Sequence, residues 1–488
     1  MKKIFGMILA VCLMVTLLCV SAFADEAPAS DVVLRVSALK KDGSTVIVAD
    51  HNVFDDGWNA AMELAVNKEE LKKNDYIRVI VDLYADWIAV DGEFTDDFWN
   101  GEGFNWDAIR FCEDVKMTLN MNGHTIDRGL TDYELNGEVI FIGENADVII
   151  NDGTIKGGYS NTGAGGIHID DGANVTLNDV RVVGNGVRDD DGAGIALYDG
   201  ATLTMNGGSV SDNVSISSSP QFLVVYGGGI YAKDSTVVLN GVTLQNNQGF
   251  RYGVHGAAVY VDNGVLSMDN CRIIDNGLKT DEKQSESAYT IVHSTGGSDV
   301  TIQNTVFSNN GGDRSTYRGS DNWSETYVIM AFNGTLVMEN CDFKENEQFF
   351  LLGAGGAALS ISDTDFTGNQ ASAFNGFGAS GKSNTFTNCS FEKGSSEQDG
   401  DYTFAFTRDD SKLSFINCTF GSATFNNKNA AKFEKSSREL AGSVFSEGSL
   451  AMIVSVAALV ASIASVGVSV ALNKKKAVPA KANTEDKE

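Results

Sequence analysis

The sequence predicts an all-β chain wound as a right-handed, single-stranded parallel β-helix, a solenoid of about eleven coils. Three observations predict it. A unit reading apolar-x-apolar-Asn, three residues, apolar-x-x-Asn recurs from Leu119 to Phe420. Ahead of most units stands a second short segment, such as the Gly-Gly-Ile-His-Ile run ending at Ile169 or the Gly-Gly-Ile-Tyr-Ala run ending at Ala232. The chain also carries 52 glycines against 3 prolines, a balance that suits many tight turns between hydrogen-bonded strands.

The unit defines columns. Its first apolar position falls at Leu119, Val148, Val175 and Leu203 and continues to Leu413, with one polar lapse at Asn384. The second runs from Met121 and Ile150 to Phe415, the third from Ile126 and Ile155 to Phe420, and neither lapses. Three residues after the third position, asparagine returns at 185, 213, 247, 276, 310, 346 and 369. Alternation with period 2 marks each run as a strand, and pairs such as Asp171-Gly172, Asp199-Gly200 and Asn263-Gly264 mark the turns. One coil alone cannot bury its apolar residues, whereas stacking aligns them into a continuous interior. A leucine-rich repeat has a similar period but demands Leu-x-x-Leu-x-Leu-x-x-Asn and one strand per repeat, which this spacing does not match. The right-handed sense follows the general preference of parallel crossovers.

The columns assign most chemically suggestive residues to structure. Cys271, Cys341, Cys389 and Cys418 share one register, where other coils have Val242, Thr305 or Thr364, so they are expected to be small stacked residues and not a disulfide framework or metal site. A bond between Cys389 and Cys418, which alone fall in consecutive coils, stays open. The recurring asparagines are expected to form a ladder of stacked amides along the axis.

Repeats that combine Gly-Gly-Ile segments with Phe-x-x-Asn, as in Phe307 to Asn310, Phe343 to Asn346 and Phe366 to Asn369, resemble those of the chlamydial polymorphic outer membrane proteins. More broadly the chain looks like the pectate-lyase-like β-helix proteins that bacteria export as adhesins or glycan-acting enzymes. The resemblance covers roughly residues 115–430 and speaks to architecture more than to activity. Those chlamydial proteins end in an outer-membrane barrel, whereas a single apolar helix is expected at this end, so their route of secretion is not carried over.

The two ends predict export and anchoring. Met1-Lys2-Lys3, an apolar stretch and Ala22-Phe23-Ala24 fit a secretory signal, residues 1–24, cleaved before Asp25. Residues 25–114 are expected to form an N-terminal cap and an irregular first coil, with Trp58, Ala61, Met62 and Leu64 on a short helix. Trp99 and Trp106 serve either that cap or the stacking of a sugar. The β-helix spans 115–430 and a polar stalk 431–449. An uncharged run at 450–472 is long enough for a transmembrane helix, and Lys474-Lys475-Lys476 place the tail 473–488 in the cytoplasm with the bulk outside.

Charge narrows the partners. With 65 acidic against 36 basic residues, nucleic acid is excluded as a natural partner, and strongly anionic polymers are disfavoured. No cofactor is required, although acidic clusters leave Ca²⁺ open. The best cluster is Asp189, Asp190 and Asp191, which serves either as a metal site or as a solvated turn. His168, Tyr231 and Tyr260 each lie between inward residues and are expected to point outward, with Tyr198 two residues further along its strand, forming an aromatic strip suited to a polysaccharide. The longest insertions, 214–226, 277–289 and 311–326, follow one another in the middle coils and are expected to crowd one face. The third carries Tyr317, Arg318 and Trp323, aromatics beside charge. Together these features point to a membrane-anchored surface protein that binds an extracellular glycan or a host or bacterial surface protein. A tethered polysaccharide lyase or glycoside hydrolase is the alternative, with catalytic residues unassigned.

Overall fold

The computed structural model describes residues 30–89, 108–131, 137–161, 163–218, 225–250, 253–279, 288–311, 326–347, 350–377, 383–395, 404–406 and 412–423. The signal segment, Trp99, Trp106, the stalk, the apolar run 450–472 and the tail lie outside them. Among the described residues no helix is long and apolar enough to cross a membrane.

One coil shows how the chain winds. From Ile230–Lys233 it passes through Thr236–Asn240, Thr243–Gln245, Gln248–Phe250 and Gly253–His255 and returns at Val259–Asp262. There it runs parallel to its start, with Ile230 paired to Val259. Repetition of these legs builds three parallel sheets. The first holds the legs like Thr236–Asn240 and Thr243–Gln245, the second those like Gln248–Phe250, and the third those like Val259–Asp262.

Pairing keeps each apolar column in line. Leu203, Val237, Leu266 and Val300 are successive partners across the first sheet, as are Met205, Leu239, Met268 and Ile302, and all eight are buried. Toward the C-terminal coils the third column becomes aromatic: Phe307, Phe343, Phe366, Phe391 and Phe420 stack in order at 4.7, 4.9, 5.1 and 5.5 Å. These separations follow from the spacing of paired strands, roughly 4.8 Å, so identical residues in register meet face to face.

The corner between the two legs of the first sheet needs a left-handed residue. Asn270, Asn304, Asn340, Asn388 and Asn417 supply it with φ between 50° and 56°, and Gly241 fills the same place with φ 67°. Asparagine tolerates this region because its short amide bonds locally.

Two amide ladders run along the axis. In the buried one, the side chains of Asn185, Asn213, Asn247, Asn276, Asn310 and Asn346 each donate from Nδ2 to Oδ1 of the next asparagine at 2.9–3.1 Å, ending on Asn369. The expected stack is thus observed. A second, half-buried ladder joins Asn240, Asn206, Asn178, Asn151 and Asn120 at 2.7–2.9 Å and ends on the Asp82 carboxylate. Cys271, Cys341, Cys389 and Cys418 are buried and free, as expected from their column. Burial pushes the Cys271 and Cys341 thiols up to about 11, which leaves them unreactive.

The first coil corrects the sequence reading. Met117 and Leu119, not Leu119 and Met121, pair with Val148 and Ile150, while Ile126 meets Ile155 as expected. Two extra residues therefore sit between the legs of this coil. Met121 packs where the next coil has Gly153, whose missing side chain makes the room.

Before this coil, β1 (Leu34–Lys40), β2 (Thr45–His51) and β3 (Tyr76–Leu83) extend the first sheet. β3 joins Lys116–Asn120 in parallel, and β1 pairs antiparallel with both β3 and β2. The helix α1 (Phe54–Val66) lays Phe54, Trp58, Ala61, Met62 and Ala65 against them, a stripe at helical spacing. Trp58 meets Phe111 edge-on at 5.1 Å, and Trp87 stacks on Phe54 at 4.2 Å.

Candidate ligand groove on the third sheet

The site begins with the short strands of the third sheet. In Ile167–Ile169 the two isoleucines are buried and His168 between them turns outward, and its neighbours repeat the pattern. Pairing places Arg110, Phe141, His168, Ala196, Tyr231, Tyr260 and His293 in one outward row. Glycine lets the chain enter this sheet: Gly192, Gly227 and Gly256 adopt φ of 74°, 63° and 72°, and a Cβ on any of them would press on the strand it precedes.

The row is a stack of rings. The Arg110 guanidinium lies 4.1 Å from the Phe141 centroid, and Phe141 stacks on His168 at 4.8 Å. Ala196 leaves a gap that Tyr198, just past the end of the strand Ile195–Leu197, fills at 4.9 Å from His168 and 5.8 Å from Tyr231. Tyr231, Tyr260, His293 and Phe332 follow at 5.6, 5.3 and 5.5 Å. A second row flanks it, with Tyr226 4.6 Å from Tyr260 and His255 4.6 Å from His293.

This geometry corrects the expectation of an open strip. His168, Tyr198, Tyr231 and Tyr260 do come together on one outer face, but Tyr231 and Tyr260 are only 9% and 8% exposed. Rings on adjacent coils spend their faces on one another and on Tyr226. What reaches the groove is a line of polar edges. The hydroxyls of Tyr198, Tyr226, Tyr231 and Tyr260 make no hydrogen bond to any described residue. Burial, followed by nearby aspartates, raises the pKa of all four phenols, which keeps them protonated donors.

Carboxylates line one end. Buried Glu138 places Oε1 3.5 Å from His168 Nδ1. Asp191 Oδ1 accepts the backbone N–H of Tyr226 at 2.9 Å, and Asp190 Oδ1 accepts that of Asp191 at 2.9 Å. Desolvation pushes Asp191 up to about 7 and raises Asp190 as well. Asp189 faces elsewhere, taking the backbone N–H of Ser218 at 2.6 Å and the Ser218 hydroxyl. The three aspartates thus have separate duties. Among the described residues no group of three or more His, Cys, Asp or Glu side chains is placed to hold a metal ion.

At the other end two histidines share a contact. His255 Nδ1 lies 3.1 Å from His293 Nδ1, which also meets the Thr290 hydroxyl at 3.1 Å, and that hydroxyl accepts the Gly256 N–H at 2.8 Å. Burial lowers both imidazoles, His255 to about 4 and His293 well below its ordinary value. Phe141, Tyr226, His255, His293 and Phe332 were missed in the sequence. Phe141 was legible there, since Ile140 and Ile142 frame it as Ile167 and Ile169 frame His168.

The chain following the three insertions joins the third sheet at Val225–Tyr226, Ala288–Thr295 and Thr326–Phe332. Tyr317, Arg318 and Trp323 lie outside the described residues.

Parallel coils, three sheets and axial side-chain ladders define a parallel β-helix protein with a ring-lined outer face on its third sheet. The family model described as right handed beta helix region matches residues 117–282 and 227–420, more than half of the chain, and the chain belongs to that family. Searches of curated proteins and of solved structures give no significant match.

Proposed function

We propose that the protein is exported, capped at its first coil by α1, held at the membrane by residues 450–472, and binds an extracellular glycan in the groove of the third sheet. It acts as an adhesin or glycan-binding module. The observation that carries this reading is the row of phenolic hydroxyls along one outer face that have no hydrogen-bond partner among the described residues. A sugar chain presents hydroxyls at intervals, and a row of unpaired polar edges gains from a ligand that completes their hydrogen bonds. The test is a glycan array probed with the full-length protein and with its Tyr231→Phe/Tyr260→Phe variant. Phenylalanine keeps the stacking and removes only the hydroxyls. About tenfold weaker binding is expected from two lost hydrogen bonds; a folded variant with unchanged binding refutes the site.

A second reading has its own support. A carboxyl titrating near 7, with Asp190 and His168 close by, suits proton transfer in a polysaccharide-cleaving enzyme. It predicts new reducing ends or unsaturated products from a polysaccharide panel, lost in Asp191→Asn; a panel without products eliminates it.

A further inference from the structure

Resting on the glycan-binding reading, we propose that the end of the groove formed by Asp190, Asp191, Tyr198, Tyr226 and Tyr231 receives an ammonium group carried by the glycan, that is, a de-N-acetylated amino sugar. Each aspartate commits one oxygen to a backbone N–H, and the other oxygen carries no hydrogen bond among the described residues. Among the described residues no lysine or arginine pairs with either carboxylate.

A second observation points the same way. Tyr231 is more than nine-tenths buried, its hydroxyl has no hydrogen-bond partner among the described residues, and it feels the charge of Asp191, Asp262 and Asp190. An unpaired hydroxyl at the edge of a deeply set ring can accept from a ligand's donor. An ammonium group has three N–H donors, enough for two carboxylate oxygens and one phenolic oxygen. A divalent metal demands six or more oxygens, which this corner does not converge. The formal charge of −29 draws cations toward the protein.

Binding a cation here requires Asp191 to be ionised. Its carboxyl is raised to about 7, so affinity strengthens as pH rises toward 7 and weakens as pH falls below it.

The experiment is calorimetric titration of the full-length protein at pH 5.5 and 7 with glucosamine hexamer, N-acetylglucosamine hexamer, spermine and CaCl₂. Glucosamine hexamer is expected to bind at least tenfold more tightly than its acetylated counterpart and than spermine, and more tightly at pH 7 than at 5.5. Asp191→Asn, whose amide oxygen still accepts the Tyr226 N–H, is expected to lose tenfold for the free amine alone, together with the pH dependence. Equal affinity for the two hexamers overturns the ammonium inference and leaves the glycan groove standing. Spermine binding as tightly as the glucosamine hexamer, or no binding of the glucosamine hexamer, overturns the ammonium inference, while the glycan-binding reading stands or falls with the array. Competition by Ca²⁺ at equal concentration overturns the inference in favour of a metal.

Discussion

A buried imidazole without a counter-ion is a liability in acid, and the groove holds two in contact. His255 and His293 face each other, the Thr290 hydroxyl and the rings of Tyr226, Tyr260 and Phe332. Both imidazoles are held below the ordinary value of 6.5 by burial, with His255 at about 4. The folded state therefore binds fewer protons than the unfolded chain, and the stability present above 6.5 is lost as pH falls toward 4. Urea unfolding followed across that window is expected to show a larger fall for the native protein than for His255→Phe/His293→Phe. Phenylalanine preserves the ring contacts and removes the proton site. Equal falls would exclude the pair as the source.

At the scale of elements, α1 packs its apolar stripe against the strands that precede the first coil. Trp58 is 4% exposed and lies edge-on to Phe111 of the first coil. Trp58→Ala is expected to cost about 3–5 kcal/mol by leaving a cavity over that coil, read as a lower urea midpoint with increased binding of a hydrophobic dye. An unchanged midpoint would assign closure of this end to other residues. The same region shows what the sequence disclosed and what it hid. The apolar columns and the buried asparagines were legible because every coil repeats them, and one misplacement cannot hide the others. The first coil was not, because Met117, Leu119 and Met121 all satisfy alternation and only pairing with Val148 and Ile150 exposes the two extra residues. The outward direction of His168, Tyr231 and Tyr260 was legible for the same reason as the columns. Their burial was not, since it depends on Tyr226 arriving from the first insertion, on His255 from the leg before the third sheet, and on stacking between coils. The three consecutive aspartates left two readings open in the sequence because adjacency along the chain does not say whether side chains converge in space.

For the whole molecule, stability is nearly a sum over coils and their neighbours. Ile230, Val237, Leu244 and Gln248 pair with Val259, Leu266, Ile273 and Gly277, each 29 residues further on. Deleting 230–258 is thus expected to give a folded, shorter solenoid with an unchanged far-ultraviolet β signature, because every inward residue is replaced by its own partner. Deleting 230–257 shifts the chain by one and turns inward residues outward; it is expected to yield insoluble protein. Comparable solubility of the two would refute the register.

The two amide ladders have opposite senses. In the buried ladder each side chain donates toward the C-terminal coils, from Asn185 to Asn369. In the half-buried ladder each donates toward the N-terminal coils, from Asn240 to the Asp82 carboxylate. Aligned amides in an α-helix add to a macrodipole whose ends must be compensated. Over the coils the two ladders share, their moments oppose, so coils can be gained or lost there without polarising the ends of the rod.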